Sequence, residues 1–323
     1  MQSILLGQPP PPCSNTEAVF SFLPCFAWYR RQAEGDAFVS RAVDLAAGGL
    51  CFAAMYPQNF NGPHDPTCVI PDCRAALGRV CRQAGYLHEL VEKWNGVYNP
   101  LYFQGRIREQ LSLGKPVLFW TASGRGAWHI LLSMDEAAAS IRCLSPEGQT
   151  IEIAEWYERM EGLLLLCPQR SARQNGWDTI ALVRSALAHR KDSYTGFWVG
   201  EAAYSAWLHD VRVQSPDSQN FAMCERLAEA RSGALELIRL LSVQFPDAQK
   251  LLNSAAGELT QMLGLLESTR RPDCRAIEEI ARLDGHAIHC LEQILFCRPA
   301  QPLFHENYGF EYLEKEDASC ECS

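Results

Sequence analysis

A run of short apolar segments in the middle of the chain, set between stretches of helical periodicity, narrows the possible folds more than any other feature. Lys115–Thr121 (KPVLFWT) and Ala127–Ser133 (AWHILLS) read as buried strands on either side of the turn Ser123-Gly-Arg-Gly126. Ser140–Leu144 and Thr150–Ile153 flank Ser145-Pro-Glu-Gly148, the pattern of a hairpin, and Leu163–Cys167 is a last apolar strand. Helices followed by an antiparallel meander predict an α+β fold.

On the N-terminal side, Pro9–Pro12 lead into Cys13-Ser-Asn-Thr-Glu17. Proline is well placed just before a helix, and Ser14 with Glu17 has capping-box spacing, so a helix is expected from about Ser14 through Tyr29. It is apolar on several sides and belongs in a domain interior. Further helices are expected over 36–45, 72–84 and 104–112, with a turn-rich loop at 56–66. Pro168–Gly176 reads as a linker. Every later segment reads as helical, at 177–189, 196–211, 222–244, 247–268 and 273–296, with breaks at Pro216, Pro246 and Pro272. The expected organisation is an α+β domain over 1–170, an all-α domain over 171–302 free of strands, with Trp198 and Trp207 in its core, and an acidic tail over 303–323.

Composition removes several function classes. A chain of 323 residues that is 47% hydrophobic and 21% charged builds an ordinary core without disulfides or metals. The net charge of -9 argues against nucleic-acid binding. Part of that charge is the tail, where Glu306, Glu311, Glu314, Glu316, Asp317 and Glu321 face the one base Lys315. The apolar run at Gly162–Cys167 is far too short to span a membrane, and Met1–Gly7 lacks the basic and long apolar regions of a signal peptide. A cytoplasmic protein is expected, and its 14 cysteines are then reduced thiols. The nearest approaches to a zinc motif, Cys68-x4-Cys73 and Cys320-x-Cys322, lack the paired spacing, so neither metal nor cofactor is expected.

Three residues carry the candidate chemistry. Cys13 precedes the first expected helix, whose unpaired N–H groups would favour a thiolate. Gln8, upstream across the prolines, offers an amide donor for an oxyanion. His129 lies on an expected strand far along the chain; a cysteine at a helix tip facing a strand histidine is a nucleophile–base arrangement. Cys51, after Gly48-Gly49, is the rival nucleophile, more simply read as a core residue. His286 and His289, spaced i and i+3, read as exposed helix surface before they read as metal ligands.

Gln8-x4-Cys13, Gly114-Lys-Pro-Val-Leu118 and His129-Ile-Leu-Leu-Ser-Met-Asp135 together resemble the papain-like cysteine peptidase superfamily, most closely its bacteriocin-processing-peptidase branch. Gly48-Gly-Leu-Cys-Phe52 is similar to a Gly-rich segment in the N-terminal domain of the butirosin-pathway acyltransferase. The resemblance covers about residues 5–168. It implies a papain-like domain with Cys13 as nucleophile, His129 as base and Gln8 as oxyanion donor. It also implies an acyl transfer through a Cys thioester, on a small-molecule or carrier-bound acyl substrate. Tyr194-x-Gly196 and Gly200-Glu-Ala-Ala-Tyr-Ser-Ala-Trp207 resemble a helical extension of bacterial relatives, whose apolar faces are compatible with a homodimer. One position departs from the pattern. Where the branch carries an Asp-Pro that orients the histidine, this chain has Ser145-Pro146. A hydroxyl accepts an imidazole N–H but stabilises an imidazolium poorly, so an inactive papain-like protein that binds a ligand or partner is the alternative.

Overall fold

The switch from helical to strand periodicity near residue 115 is reproduced in the computed structural model, which describes residues 21–34, 40–57, 71–93, 99–121, 127–137, 139–168, 179–188, 197–213, 217–269 and 272–297. Helices α1 (Phe22–Glu34) and α2 (Arg41–Gly48) come first, then strand β1 (Met55–Pro57), helix α3 (Pro71–Gln83), strand β2 (Tyr86–Glu92) and helix α4 (Pro100–Ser112). Strands β3 (Val117–Thr121), β4 (Ala127–Asp135), β5 (Ser140–Leu144) and β6 (Thr150–Ala154) follow. The short helix α5 (Trp156–Arg159) leads into strand β7 (Met160–Pro168). The rest comprises α6 (Thr179–Ala186), β8 (Phe197–Val199), α7 (Glu201–Arg212), α8 (Asp217–Gln244), α9 (Gln249–Ser268) and α10 (Cys274–Phe296).

Six strands form one antiparallel sheet in the order β2-β7-β3-β4-β5-β6. Strands β3 to β6 are the expected meander, and Ser145–Gly148 is its last turn, with Gly148 at φ 80. Strand β7 does not continue beside β6. It returns to the other edge of β3, and the unforeseen β2 pairs with its free side. Glu89 and Glu92 on β2 suit an edge strand, since charge there discourages pairing with other chains.

Strand alternation divides the sheet into two faces. Leu118, Trp128, Ile130, Leu144 and Leu164 join the cluster that includes Phe22 and Phe26 of α1 and Leu45 of α2. Val117, Phe119, Leu131, Cys143 and Leu163 pack against Phe103, Ile107 and Leu111 of α4. Local signals set the helix ends. Asn99 accepts from the Leu101 and Tyr102 N–H groups (3.1 and 3.3 Å) ahead of Pro100, and Asp273 caps α10 by accepting from Ala276 N (2.8 Å). Ser40 caps α2, and Gly49 ends it at φ 78, a left-handed conformation that favours glycine.

Two expectations are corrected, and a third falls outside the described residues. The first helix is described from Phe22, with Ser21 in a turn ahead of it, and its expected start at Ser14 lies outside the described residues. The second half is not strand-free, because β8 pairs antiparallel with β1, Met55 opposite Val199. Trp198, expected in the core, is 47% exposed: it occupies this short strand rather than a helix, whereas Trp207 on α7 is fully buried. One core runs across the expected boundary near residue 170, with Phe52 and Leu45 in the same cluster as Trp207, Leu227 and Ile280. The mixture of helices with an antiparallel sheet agrees with the expected α+β class. No helix among the described residues is long and apolar enough to cross a membrane.

Candidate functional site

His129 sits near the start of β4, opposite Phe119 of β3, and the two rings lie 5.1 Å apart between centroids. Its side chain shares the α4 face with Phe119 and Leu131, because the preceding residue points the other way: Trp128 meets Phe22 of α1 edge-on at 5.4 Å. The imidazole is only 8% exposed, and its Nδ1 has no hydrogen-bond partner among the described residues. Burial drives its pKa down to about 4, against a smaller upward pull from Glu147. The ring is therefore neutral at pH 7, with one nitrogen uncommitted.

Ser145 follows the end of β5. The last pair in the β4–β5 register is Ile130 with Leu144, one residue short of His129 and of Ser145. The Ser145 hydroxyl serves its own turn: Ser145 Oγ accepts from Gln149 N at 3.2 Å, and Ser145 N donates to Gln149 O at 2.8 Å. The other side of β4 is occupied by the start of α1. Trp128 N donates to Ser21 Oγ (2.9 Å), and Cys25 Sγ donates to Trp128 O (3.3 Å), so β4 extends past the end of β5 without leaving that peptide unpaired.

Gln8 and Cys13 lie outside the described residues. Cys51 is fully buried, with its thiol toward Ala42 O at 3.8 Å and burial pushing its pKa up to about 12, which makes it a core residue. His286 and His289 lie exposed on α10 beside Arg282 and Gln293. Among the described residues, no group of three or more His, Cys, Asp or Glu is close enough to hold a metal ion.

A second constellation joins the two halves. Arg231 of α8 is fully buried and grips Asp284 of α10 bidentately, Nε to Oδ1 and Nη2 to Oδ2, each 2.6 Å. Its Nη1 also donates to Cys51 O (2.7 Å) and Ala53 O (3.4 Å), its Nη2 to Phe52 O (3.4 Å), and the guanidinium lies 5.4 Å from the Phe52 ring centre. Tyr204 of α7 completes the cluster by donating to Asp284 Oδ2 at 2.8 Å. Burial opposes the Arg231 charge, but the neighbouring Asp284 carboxylate outweighs it and raises the pKa; burial, reinforced by Asp284, raises that of Tyr204. The segment Gly48-Gly-Leu-Cys-Phe52 is thus held by a residue far along the chain.

The signal for this cluster was present in the helical periodicity. Asp284 falls on the buried stripe Ile277, Ile280, Ala287 and Leu291 of α10, and Arg231 falls on Leu227, Ala234, Ile238 and Leu241 of α8. Charged residues at core positions of two helices are expected to find each other.

A cavity of about 810 Å³ opens above the cluster, between β8, the start of α7 and one face of α10. Phe52, Tyr204 and Asp284 line it together with Glu201 and Ile288. Comparison with protein-family models and with curated proteins returns no match.

Proposed function

We propose that the chain is a cysteine-nucleophile acyl-transfer enzyme of papain-like organisation, with Cys13 as nucleophile and His129 as base. The observation that carries this reading is the buried, neutral imidazole of His129 with an uncommitted Nδ1. A neutral imidazole can take the thiol proton as Cys13 Sγ attacks an acyl carbonyl, and the imidazolium then gives that proton to the leaving group, which departs to leave a thioester and a neutral ring. An amine or water then attacks the thioester, giving its proton to the imidazole and restoring the thiol. A small-molecule or carrier-bound acyl group is the donor that the resemblance implies, and Gln8 is the oxyanion donor. The tether permits the encounter: Cys13 precedes Ser21 by eight residues, Ser21 is bonded to Trp128 beside His129, and eight residues reach about 28 Å at most.

Alkylation of Cys13 by iodoacetamide, followed by mass spectrometry across pH, tests this. His129→Ala should slow the reaction at pH 7 sharply, and His129→Gln should not rescue it. A Cys13 that reacts as an ordinary thiol and ignores both changes would end the enzyme reading.

A second reading has its own support. His129 lies on the sheet face opposite α1, and the Ser145 hydroxyl accepts from Gln149 rather than orienting the ring. A papain-like protein that binds a ligand or partner without turnover needs no orienting carboxylate, and it would leave Cys13 with an unshifted thiol.

A further inference from the structure

We propose that the cavity beside the Arg231 cluster binds a small molecule that carries a protonated amine on an apolar body. The inference does not depend on Cys13 or His129, because none of the described lining residues belongs to β4. At about 810 Å³ the space matches a small-molecule site. Its wall is apolar, from Phe52, Val199, Leu208 and Ile288, and part of its floor is made of small residues. Gly285 opens directly onto it, and a Cβ built there would meet nothing within 4 Å.

Charge selects the class of ligand. Among the described residues, the lining holds Glu201, Glu278, Asp284 and Glu292 with His289, and neither lysine nor arginine. Two of these carboxylates are answered from behind, Asp284 by buried Arg231 and Glu278 by Arg212 at 3.1 Å. Glu201 has no ion-pair partner among the described residues. It stands in the first turn of α7, where its carboxylate already meets the partial positive charge of that helix end and leaves little attraction for an anion. A ligand ammonium beside Glu201, with its hydrocarbon against Phe52 and Ile288, satisfies both parts of the lining. The floor is stiff, since Tyr204, Asp284 and Arg231 bond one another and Arg231 holds the carbonyls at 51–53. A preorganised floor lowers the entropy lost on binding.

Calorimetric titration of the full chain with phenylethylammonium and octylammonium, against 3-phenylpropionate as a comparator of similar size and opposite charge, tests the proposal. At least one amine should saturate in the micromolar to low-millimolar range, with affinity falling as salt rises, and the carboxylate should not bind. Glu201→Gln should weaken the amine about three- to tenfold, Glu201→Lys should abolish binding, and Gly285→Leu should block it by filling the space. Near-UV circular dichroism confirms that each variant keeps the native packing. Failure of both amines to bind, equal binding of the carboxylate, or an amine affinity untouched by Glu201→Lys would overturn it.

Discussion

The buried imidazole of His129 makes the acid stability of this protein depend on one side chain. In the folded chain its pKa is about 4, whereas an unfolded chain restores a value near 6.5. Between those values the unfolded state binds the proton and the folded state refuses it, so stability rises with pH across the window. The contribution is complete above about pH 6.5 and is lost as the pH falls toward 4. With about 1.4 kcal/mol per pK unit, the whole shift is worth about 3 kcal/mol, of which about 2 is lost between about pH 7 and pH 4.5. Urea unfolding of the parent and of His129→Gln at several pH values in this range isolates the effect, because the carboxylates that also titrate there are common to both. The parent should lose about 2 kcal/mol more than the variant over that interval. The His129 Cε1–H resonance should stay at its neutral position down to about pH 5. Parallel stability curves, or a resonance that titrates near 6.5, would show that the ring is solvated and that the argument from burial is wrong.

Other perturbations address the rest of the frame. Arg231→Met should cost about 3–5 kcal/mol in urea unfolding, because Asp284 is left buried and unpaired, while the double change Arg231→Met with Asp284→Leu should recover most of it. Gly162→Ala places a methyl group against the Trp120 indole and 3.1 Å from the Val91 carbonyl oxygen, so it should destabilise by about 1–3 kcal/mol and alter the near-UV tryptophan signal. Of the described cysteines, exposed Cys167 and Cys297 should react with a chromogenic disulfide within the mixing time; Cys51 and Cys81, buried and with raised thiol pKa, should react only on unfolding.

What could be read from the residues depended on how locally each element is specified. The β3–β6 meander and its Ser145–Gly148 turn were legible because alternating apolar runs end at Gly and Pro, which no tertiary contact needs to override. Helices α9 and α10 were legible for the same reason, with a 3.6-residue stripe and the breaks at Pro246 and Pro272. Strand β2 was not, since Tyr86–Glu92 mixes charge with apolar residues as a half-buried edge does, and only pairing with β7 makes it a strand. Strand β8 was absorbed into a helical pattern: Phe197–Val199 is three residues long, and Gly200, at φ 61, separates it from α7. His129 was legible as a strand residue. Its face was not, because that depends on Trp128 taking the α1 side.

The Arg231 cluster carries the same lesson into energetics. Helix α2 ends at Gly49, and the chain then runs through buried residues 50–54 before the short pairing of β1 with β8 begins. Buried backbone carbonyls along such a stretch need donors, and here the donors come from a side chain about half the molecule away. Placing one arginine there requires desolvating its charge, which Asp284 offsets with two short hydrogen bonds and Tyr204 supports from α7. The 51–53 segment, the start of α7 and the inner face of α10 therefore hold one another in place, and the same three elements wall the cavity. A change that loosens Asp284 should loosen the cavity floor and the Gly-Gly segment together, because one buried charge pair anchors both, beside the shared apolar core and the β1–β8 pairing that also join the two halves.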